Sequence, residues 1–226
     1  MRSRWTGLAL DYDGTLAGQG GLVDAATLAA LDRARAAGLR LLLVTGRQIE
    51  SLETVFEQTH LFSRIVAENG AVLVTPKPRD IRVLAPAPPK AFVRALQAGG
   101  VYPLATGKVI VATREPNEEK VLKIIRDMGL ELELIFNKGA VMILPTGVNK
   151  ASGLGTALAT LRMSGETVIG IGDGENDHSL LRACGLGVAV SNALESLKEE
   201  AQLVTREEDG EGVREILRKW DLGELG

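Results

Sequence analysis

The amino-acid sequence predicts an α/β protein with a doubly wound, mostly parallel sheet and a small inserted α+β unit. In the first third of the 226 residues, short apolar runs alternate with segments whose apolar residues recur at helical spacing. The same alternation resumes near residue 150, and the stretch in between has a different rhythm. Alternating strands and helices are typical of a parallel sheet that is covered by helices on both faces.

The N-terminal third is predicted to form a β-α-β-α-β unit. Residues 6–10 are a short apolar run that is followed by acids. Asp24 is a candidate N-cap for the helix that follows it, and Gly38 ends that helix. Residues 39–44 are predicted to form a buried strand, residues 48–58 a helix and residues 65–67 the start of another strand.

The C-terminal part continues the same pattern. Helices are predicted over residues 150–163, 176–184 and 212–220. Strands are predicted over residues 167–172, 186–190 and 202–204. We therefore assign residues 1–76 and 146–226 to one core domain.

The stretch between the two halves, residues 77–145, is predicted to be a separate cap unit. Five of the eight prolines of the chain lie within residues 75–89, and such a cluster is typical of a boundary. Helices are expected over residues 90–98 and 117–128, and strands over residues 109–113, 131–136 and 141–144. The predicted element order of this cap is α-β-β-α-β-β.

Composition and charge exclude several classes of protein. Hydrophobic residues make up 45% and charged residues 24%, as in ordinary globular proteins. The net charge of −3 gives no reason to expect nucleic acid or an anionic membrane as a partner. Cys184 is the only cysteine, so an internal disulfide and a cysteine-based zinc cluster are excluded, and we predict that it is buried. Apolar runs too short for a signal peptide or a membrane span predict a soluble, cytoplasmic protein. The sequence does not decide between a monomer and a homodimer.

Two carboxylates separated by one residue, Asp11 and Asp13, follow the first predicted strand. Side chains two positions apart on an extended chain point to the same side, and Gly14 permits a sharp turn after them. Open parallel sheets bind ligands at the carboxyl ends of their strands, which is where this pair lies. An isolated pair of this kind is more simply interpreted as a solvated acidic turn, so its meaning depends on the other segments.

Thr45 and Gly46 end the next predicted strand. A hydroxyl, a glycine amide and the start of a helix together form a cradle suited to phosphate. A strand-to-helix turn with Thr45 as the N-cap is an equally good interpretation of these residues alone. Arg47 has two interpretations, a phosphate ligand or an ion-pair partner of Glu50 or Glu53 on its own helix. The sequence favours the ion pair.

Lys150 and an acidic loop complete the set of candidate residues. Lys150 begins a predicted helix, where the helix dipole disfavours a cation, and this conflict favours a functional role. Residues 171–177 follow a buried strand and contain three acids and two glycines. Oxygen ligands on a flexible loop suit a hard cation such as Mg²⁺.

These four segments, in this order, resemble the motifs of the haloacid dehalogenase (HAD) superfamily of phosphatases. Residues 11–15 (DYDGT) are similar to the first motif, residues 44–47 (VTGR) to the second, Lys150 to the third and residues 172–177 (GDGEND) to the fourth. The insert between the second and third motifs resembles a type-2 cap. That subgroup includes phosphoglycolate, sucrose-phosphate and broad sugar-phosphate phosphatases. The resemblance covers essentially the whole chain and is specific in the core and weak in the cap.

The resemblance implies a magnesium-dependent phosphatase in which Asp11 is phosphorylated during turnover. Asp13 would protonate the leaving oxygen and then activate a water molecule, so it must carry a proton at the first of these steps. The implied Mg²⁺ ligands are Asp11, the backbone carbonyl of Asp13 and Asp173, with Asp177 either as a further ligand or as a partner that supports the ligands. The implied substrate-binding residues are Thr45, Gly46, Lys150 and Asn176.

The expected substrate is a small phosphorylated metabolite, either phosphoglycolate or a sugar phosphate, which the cap selects. Candidate cap contacts are Arg114, Asn137 and Lys138, although the sequence favours a surface position for each. Residues 68–70 are expected near the junction of core and cap.

Two alternatives stay open: a phosphomutase or phosphotransferase would pass the phosphoryl group to another acceptor, and a phospho-receiver switch would keep it as a signal. The length of the chain and the second acid, Asp13, argue against the switch.

Overall fold

The computed structural model describes residues 4–18 and 20–225. The strands within these residues are β1 (Gly7–Leu10), β2 (Arg40–Val44), β3 (Arg64–Ala67), β4 (Val72–Thr75), β5 (Asp80–Val83), β6 (Ala105–Thr106), β7 (Val111–Arg114), β8 (Leu132–Asn137), β9 (Ala140–Pro145), β10 (Val168–Gly172), β11 (Leu186–Ala189) and β12 (Leu203–Val204). The α-helices are α1 (Ala25–Ala36), α2 (Ile49–Val55), α3 (Lys90–Ala98), α4 (Glu118–Asp127), α5 (Lys150–Leu161), α6 (His178–Arg182), α7 (Glu195–Glu200) and α8 (Asp209–Asp221). Short 3₁₀ turns occupy Gln58–Leu61, Glu68–Gly70, Gly165–Thr167 and Glu175–Asp177. None of the helices in the described part of the chain is long and apolar enough to cross a membrane.

The larger sheet has eight strands in the order β12-β11-β10-β1-β2-β3-β4-β5. The first six strands of that order are parallel, and β4 and β5 extend the sheet in antiparallel fashion. β1 and β10 are buried along their whole length, as expected for central strands covered on both faces. The predicted fold class is confirmed, and the strand order puts the carboxyl ends of β10, β1 and β2 side by side.

The smaller sheet belongs to the inserted unit and has the order β6-β7-β9-β8, antiparallel throughout. α3 and α4 contribute Phe92, Leu96, Val121 and Ile125 to a hydrophobic cluster separate from the main core. These residues recur at four-residue spacing within each helix, so each helix buries one face. The observed order of elements from α3 to β9 agrees with the predicted α-β-β-α-β-β.

The boundary of the inserted unit differs from the prediction at its N-terminal side. Residues 80–83, assigned from sequence to the cap, form β5 of the larger sheet and pair with β4. Pro76 and Pro78 lie in the turn of this hairpin, and Ile81 packs against the main core. Prolines are suited to a turn at the edge of a sheet because they lack a donor for the ladder. The chain therefore leaves the larger sheet after Val83 and not at residue 77.

Cys184 is buried, as predicted from its isolation in the sequence. Its Sγ packs so close to β10 that a Cβ on Gly170 would come within 2.7 Å of the sulfur. Burial raises the pKa of the Cys184 thiol to about 12. The thiol therefore stays protonated at neutral pH and has a packing role.

Candidate active site

The candidate active site lies at the carboxyl edge of the larger sheet. Asp11 follows β1, Thr45 follows β2 and Asp173 follows β10, and these three strands are neighbours in the sheet. Lys150, the first residue of α5, lies at the same edge, although in the sequence it comes after the inserted unit. Three of these four segments converge because parallel strands end together, and the fourth is the start of a helix.

The centre of the site is a buried cluster of opposite charges. Lys150 Nζ lies 2.6 Å from Asp11 Oδ1 and 2.6 Å from Asp177 Oδ1. One oxygen each of Asp11, Asp173 and Asp177 lies within 4.8 Å of the others, which is close enough to hold a metal ion. All four side chains are buried. Buried charges of this kind are stable only when they are paired and hydrogen-bonded.

Burial and mutual repulsion perturb the titration of these groups. The pKa of Asp11 is raised, first by burial and then by Asp177 and Asp173, against the opposing effect of Lys150. The pKa of Asp173 is raised as well, by burial and by Asp177. Burial would lower the pKa of Lys150, but Asp11 and Asp177 more than offset it and raise the pKa. Asp11 and Asp177 share the Lys150 ammonium, and the ammonium of Lys138 contacts Asp173. Three carboxylates thus face two ammonium groups, and the cluster carries an excess of negative charge.

Hydrogen bonds fix the acidic loop after β10. Asp177 Oδ2 accepts from the backbone N–H groups of Asp173 and Gly174, each at 3.0 Å. The hydroxyl of Thr15 donates to Asp173 Oδ1 at 2.9 Å. Gly14 has φ +79°, and a Cβ there would overlap the Asp173 carboxylate, so only glycine allows this approach. Thr15 belongs to the first motif, but no role was predicted for it from the sequence. Its position directly after the turn glycine, Gly14, could have indicated that its hydroxyl lies near the site.

The position of Lys150 depends on a strained turn after β3. Glu68 and Asn69 have φ of 50° and 54°, and Gly70 has φ 113°. A Cβ on Gly70 would overlap the carbonyl oxygen of Asn149, the N-cap residue of α5. The absence of a side chain at Gly70 therefore lets the start of α5, and with it Lys150, approach the sheet. Left-handed conformations cost about 1–2 kcal/mol for non-glycine residues, so two in succession indicate a constrained functional region.

Glu68 joins the core to the inserted unit, as predicted for residues 68–70. Its carboxylate accepts from the backbone N–H groups of Lys108 and Val109 at 2.8 Å and of Ile110 at 2.9 Å. Its neighbour Asn69 accepts from the Asn176 side chain at 3.0 Å, which links this turn to the acidic loop. One buried carboxylate thus holds the strand that leads into β7 against the end of β3.

Replacing Glu68 by glutamine is expected to destabilise the protein by about 3 kcal/mol. The amide NH₂ of glutamine cannot accept hydrogen bonds, so at least one of the three backbone donors loses its partner. Urea unfolding monitored by circular dichroism measures the change, with Glu57→Gln, at an exposed glutamate, as the matched control. A loss below about 1 kcal/mol for Glu68→Gln would contradict the importance of this contact.

Arg47 binds Asp13, and the predicted ion pair with Glu50 or Glu53 is wrong. Arg47 Nε and Nη2 donate to the two Asp13 oxygens at 2.7 and 2.6 Å. Glu50 pairs with Lys108 and Glu53 with Arg79 instead. Arg47 stands at the turn between β2 and α2, with its guanidinium 5.3 Å from the centre of the Tyr12 ring, so it reaches across the sheet edge and not along its own helix.

The remaining predicted substrate-binding residues surround the same edge. Thr45 is buried, and its hydroxyl oxygen accepts from the backbone N–H of Arg47 at 3.1 Å, which leaves the hydroxyl proton for another acceptor. Gly46 and Asn176 line a cavity next to Asp11. Oδ1 of Asn176 is buried and has no hydrogen-bond partner in the described part of the chain. That oxygen is available to a ligand.

The cavity has a volume of about 320 Å³ and is lined by both units. The inserted unit contributes Ile110, Ala112, Asn137, Ala140 and Met142. A larger cavity of about 470 Å³, between α1 and α8, has none of the predicted site residues in its lining. The larger cavity is therefore not the one beside the acidic cluster, and we assign the candidate active site to the smaller cavity because it contains the reactive side chains.

Two of the three candidate cap contacts reach the site. Asn137 lines the cavity, and the Lys138 ammonium contacts the Asp173 carboxylate. The backbone N–H of Lys138 also donates to Glu175 at 2.9 Å. The surface position that the sequence favoured is correct for Lys138, which is exposed although its ammonium reaches the acidic loop. It is wrong for Asn137, which is half-buried because the β8–β9 turn folds down onto that loop. Arg114 is exposed and does not line the cavity.

The fold and this buried cluster define a phosphatase of the HAD type. The sequence matches the family model of haloacid dehalogenase-like hydrolases over residues 8–103 and 101–217, and the chain therefore belongs to that family. A phosphoglycolate phosphatase of Methanothermobacter thermautotrophicus is 31% identical over 94% of this chain and 97% of its own length. A phosphoglycolate phosphatase of Aeropyrum pernix is 29% identical over 93% of this chain and 91% of its own length.

Solved structures share the fold over nearly their whole length. A Thermoplasma acidophilum protein has a TM-score of 0.81 with 16% identity, and the match covers 96% of this chain and 99% of that one. A haloacid dehalogenase-like hydrolase from Bacteroides thetaiotaomicron has a TM-score of 0.79 with 21% identity, covering 95% and 99%. A sugar phosphatase of HAD subclass IIB has a TM-score of 0.77 with 20% identity, covering 96% and 99%. These likenesses extend through the inserted unit.

Proposed function

We propose that this protein hydrolyses a small phosphomonoester in a magnesium-dependent reaction in which Asp11 carries the phosphoryl group. The observation that supports this most directly is the buried cluster in which carboxylate oxygens of Asp11, Asp173 and Asp177 approach one another within 4.8 Å beside Lys150. Three acids with one buried ammonium leave a negative site. Such a site favours a divalent cation, which would offset the repulsion between a carboxylate nucleophile and a phosphate dianion.

The donor set fits Mg²⁺. This ion prefers one or two carboxylates together with water and phosphate oxygens. Asp11 and Asp173 are the best candidates for direct ligands, and Lys138 would compete with the ion for Asp173. Asp177 is better suited to a supporting role, because Oδ1 accepts from Lys150 and Oδ2 accepts from two backbone N–H groups.

In the first step, a carboxylate oxygen of Asp11 attacks phosphorus and the bond from phosphorus to the ester oxygen breaks. Asp13 donates its proton to the departing oxygen, so an alcohol leaves. Lys150 contacts Oδ1 of Asp11, which leaves Oδ2 for the attack. Thr45 has a hydroxyl proton to donate to a phosphoryl oxygen, and Lys150 helps to offset the charge that develops there.

Arg47 makes proton donation by Asp13 dependent on the substrate. Both Asp13 oxygens accept from Arg47, an arrangement that suits a charged carboxylate and not a proton donor. A second anionic group on the substrate would compete for the guanidinium and release Asp13. Proton transfer would then follow substrate binding.

In the second step, a water molecule attacks phosphorus and the bond to the Asp11 oxygen breaks. Asp13, now a carboxylate, takes the proton of that water. Inorganic phosphate leaves, Asp11 is regenerated as a carboxylate and Asp13 is again protonated. One difficult hydrolysis is thereby divided into two easier displacements.

Phosphoglycolate is the proposed substrate. Curated relatives that match over more than nine-tenths of this chain bear the name phosphoglycolate phosphatase. The molecule is small enough for a cavity of about 320 Å³ and its carboxylate has Arg47 as a partner there. Sugar phosphates are the second candidate, because Gln48, Ser51 and Asn137 add neutral polar groups that can bind hydroxyls.

Phosphate release with and without metal tests this function. We expect hydrolysis of phosphoglycolate in Mg²⁺ that EDTA abolishes and added Mg²⁺ restores, with unchanged circular dichroism throughout. Glucose 6-phosphate, nucleoside monophosphates and an aryl phosphate complete the panel. Full activity in EDTA would contradict the metal dependence. Stable phosphorylation of Asp11 without phosphate release, or transfer only to an added acceptor, would instead support a receiver switch or a phosphotransferase.

A further inference from the structure

A second cleft, on the edge of the larger sheet opposite Asp11, has the chemistry of an anion-binding site. Arg40 and Arg64 are the first residues of β2 and β3, whose other ends lead to Thr45 and Glu68. β2 has five residues, which span roughly 16 Å, so this cleft is well separated from the candidate active site. Its volume is about 300 Å³.

The charged and titratable side chains of this cleft are all basic. They are Arg35, Arg40, His60, Arg64 and Lys77, and none of the described residues that line the cleft has a carboxylate. The whole chain has a net charge of −3, so this concentration of positive charge does not follow from composition. Like charges in one cleft repel one another unless an anion neutralises them.

These cations are largely free of acidic partners. Across residues 4–18 and 20–225, no carboxylate lies within ion-pair distance of Arg40, His60, Arg64 or Lys77. Arg35 alone is partly neutralised, by Asp32 at 2.9 Å. These four basic groups are therefore available to an anionic ligand.

Arg64 is held in place without losing its charge. Its Nε donates to the Thr160 hydroxyl at 3.0 Å and its Nη1 to the carbonyl of Ser63 at 2.6 Å. Both partners are neutral, so the guanidinium is oriented and remains fully cationic. An arginine ordered in this way loses less conformational entropy when it binds an anion with its remaining donors.

The shape of the cleft selects a small ligand over a macromolecule. Leu61 and Phe62 form part of its wall but are buried, so the imidazole of His60 is the one exposed ring among the described residues that line the cleft. A single ring is a small platform for the successive bases of a nucleic acid. The large hydrophobic side chains that are exposed in the described residues lie outside its lining, which argues against insertion into a membrane. A volume near the lower limit of ligand pockets suits a compact group of high negative charge.

We propose that this cleft binds the oligophosphate group of a small molecule, which is either inorganic tripolyphosphate or the triphosphate of a nucleotide. Three or four cations match the charge of a triphosphate, and arginine binds phosphate oxygens through paired hydrogen bonds. The ligand would connect the starts of β2 and β3 with the β4–β5 turn that carries Lys77. This site is independent of the proposed phosphatase chemistry.

Isothermal titration with sodium tripolyphosphate in EDTA tests the proposal on the Asp11→Asn protein, in which hydrolysis is blocked. We expect one site and a rise in melting temperature, with Kd increased at least tenfold by Arg40→Gln and by Arg64→Gln. Lys77→Gln, at an exposed position, is a further variant in case Arg64→Gln does not fold. Arg33→Gln, exposed on α1 outside the cleft, is the matched control and should leave Kd unchanged.

The pattern of binding decides between the outcomes. Equal affinity for ATP and tripolyphosphate identifies the phosphate chain as the whole ligand, and tighter binding of ATP identifies a nucleotide; both support the site. Absence of binding at about 0.15 M ionic strength overturns it. Binding that the cleft variants do not weaken, or that Arg33→Gln weakens equally, overturns it as well, because the anion would then be held elsewhere or by net charge.

Discussion

Asp11→Asn is expected to lower phosphate release from the preferred substrate by about four orders of magnitude or more. The amide has no oxygen basic enough to attack phosphorus, and it cannot form the phosphorylated intermediate. Single-turnover phosphate release measures the loss, with Asp32→Asn at an exposed aspartate as the matched control. Asp11→Ala should lose as much, and it guards against recovery of aspartate by deamidation. Residual activity above about 1% in both variants would contradict the role of Asp11.

The same substitution should leave the protein folded. Burial and two neighbouring carboxylates raise the pKa of Asp11 above its ordinary value of 3.8. A group with a raised folded-state pKa stabilises the protein below its unfolded pKa, and this contribution is lost as pH rises through the folded value. Above its folded-state pKa the ionised carboxylate therefore costs free energy, and a neutral amide of the same shape removes that cost. Lys150 keeps Asp177 as its partner, so we expect thermal melting at or above the wild-type temperature.

The parallel part of the fold was predictable because its strands are continuous apolar runs. β1, β2 and β10 are buried on both faces, so the sequence signal is strong and the helices between them end in glycine or begin with a cap residue. β5 was missed because its four residues are mostly exposed and follow two prolines, which suggested a boundary. β6 was part of the predicted element order but had no predicted residue range, because two exposed residues carry no pattern that would locate them; in the structure it pairs with β7.

The sequence predicts those site residues whose positions are determined by the ends of the parallel strands. Asp11, Thr45 and Asp173 converge because parallel strands finish at one edge. Lys150 reaches that edge as the first residue of α5, whose approach depends on Gly70. The partners of Arg47 and Lys138 were not predictable in this way, since each forms a contact between segments at least 34 residues apart. Whether Arg47 turns to its own helix or to Asp13 depends on the direction of the turn after β2. That direction is set by tertiary packing and not by local spacing.

Lys150→Met is expected to destabilise the protein by about 3–5 kcal/mol and to reduce phosphate release by at least about a hundredfold. Methionine fills similar space but leaves Asp11 and Asp177, both buried, without their shared cation. Urea unfolding in EDTA measures the first effect. Lys123→Met is the matched control, because Lys123 pairs with Asp127 at 2.5 Å on the surface, where its side chain is 74% exposed. That control should lose less than about 1 kcal/mol.

A double variant separates loss of the charge pair from loss of packing. If the destabilisation comes from unpaired buried carboxylates, then adding Asp11→Asn to Lys150→Met should recover about 1–2 kcal/mol, because one of the two uncompensated charges is gone. If the lysine stem only fills space, the second substitution will recover nothing and the two changes will simply add. A recovery of stability without recovery of activity is the expected result, since the same two residues that compensate each other in the fold are both required in the proposed reaction.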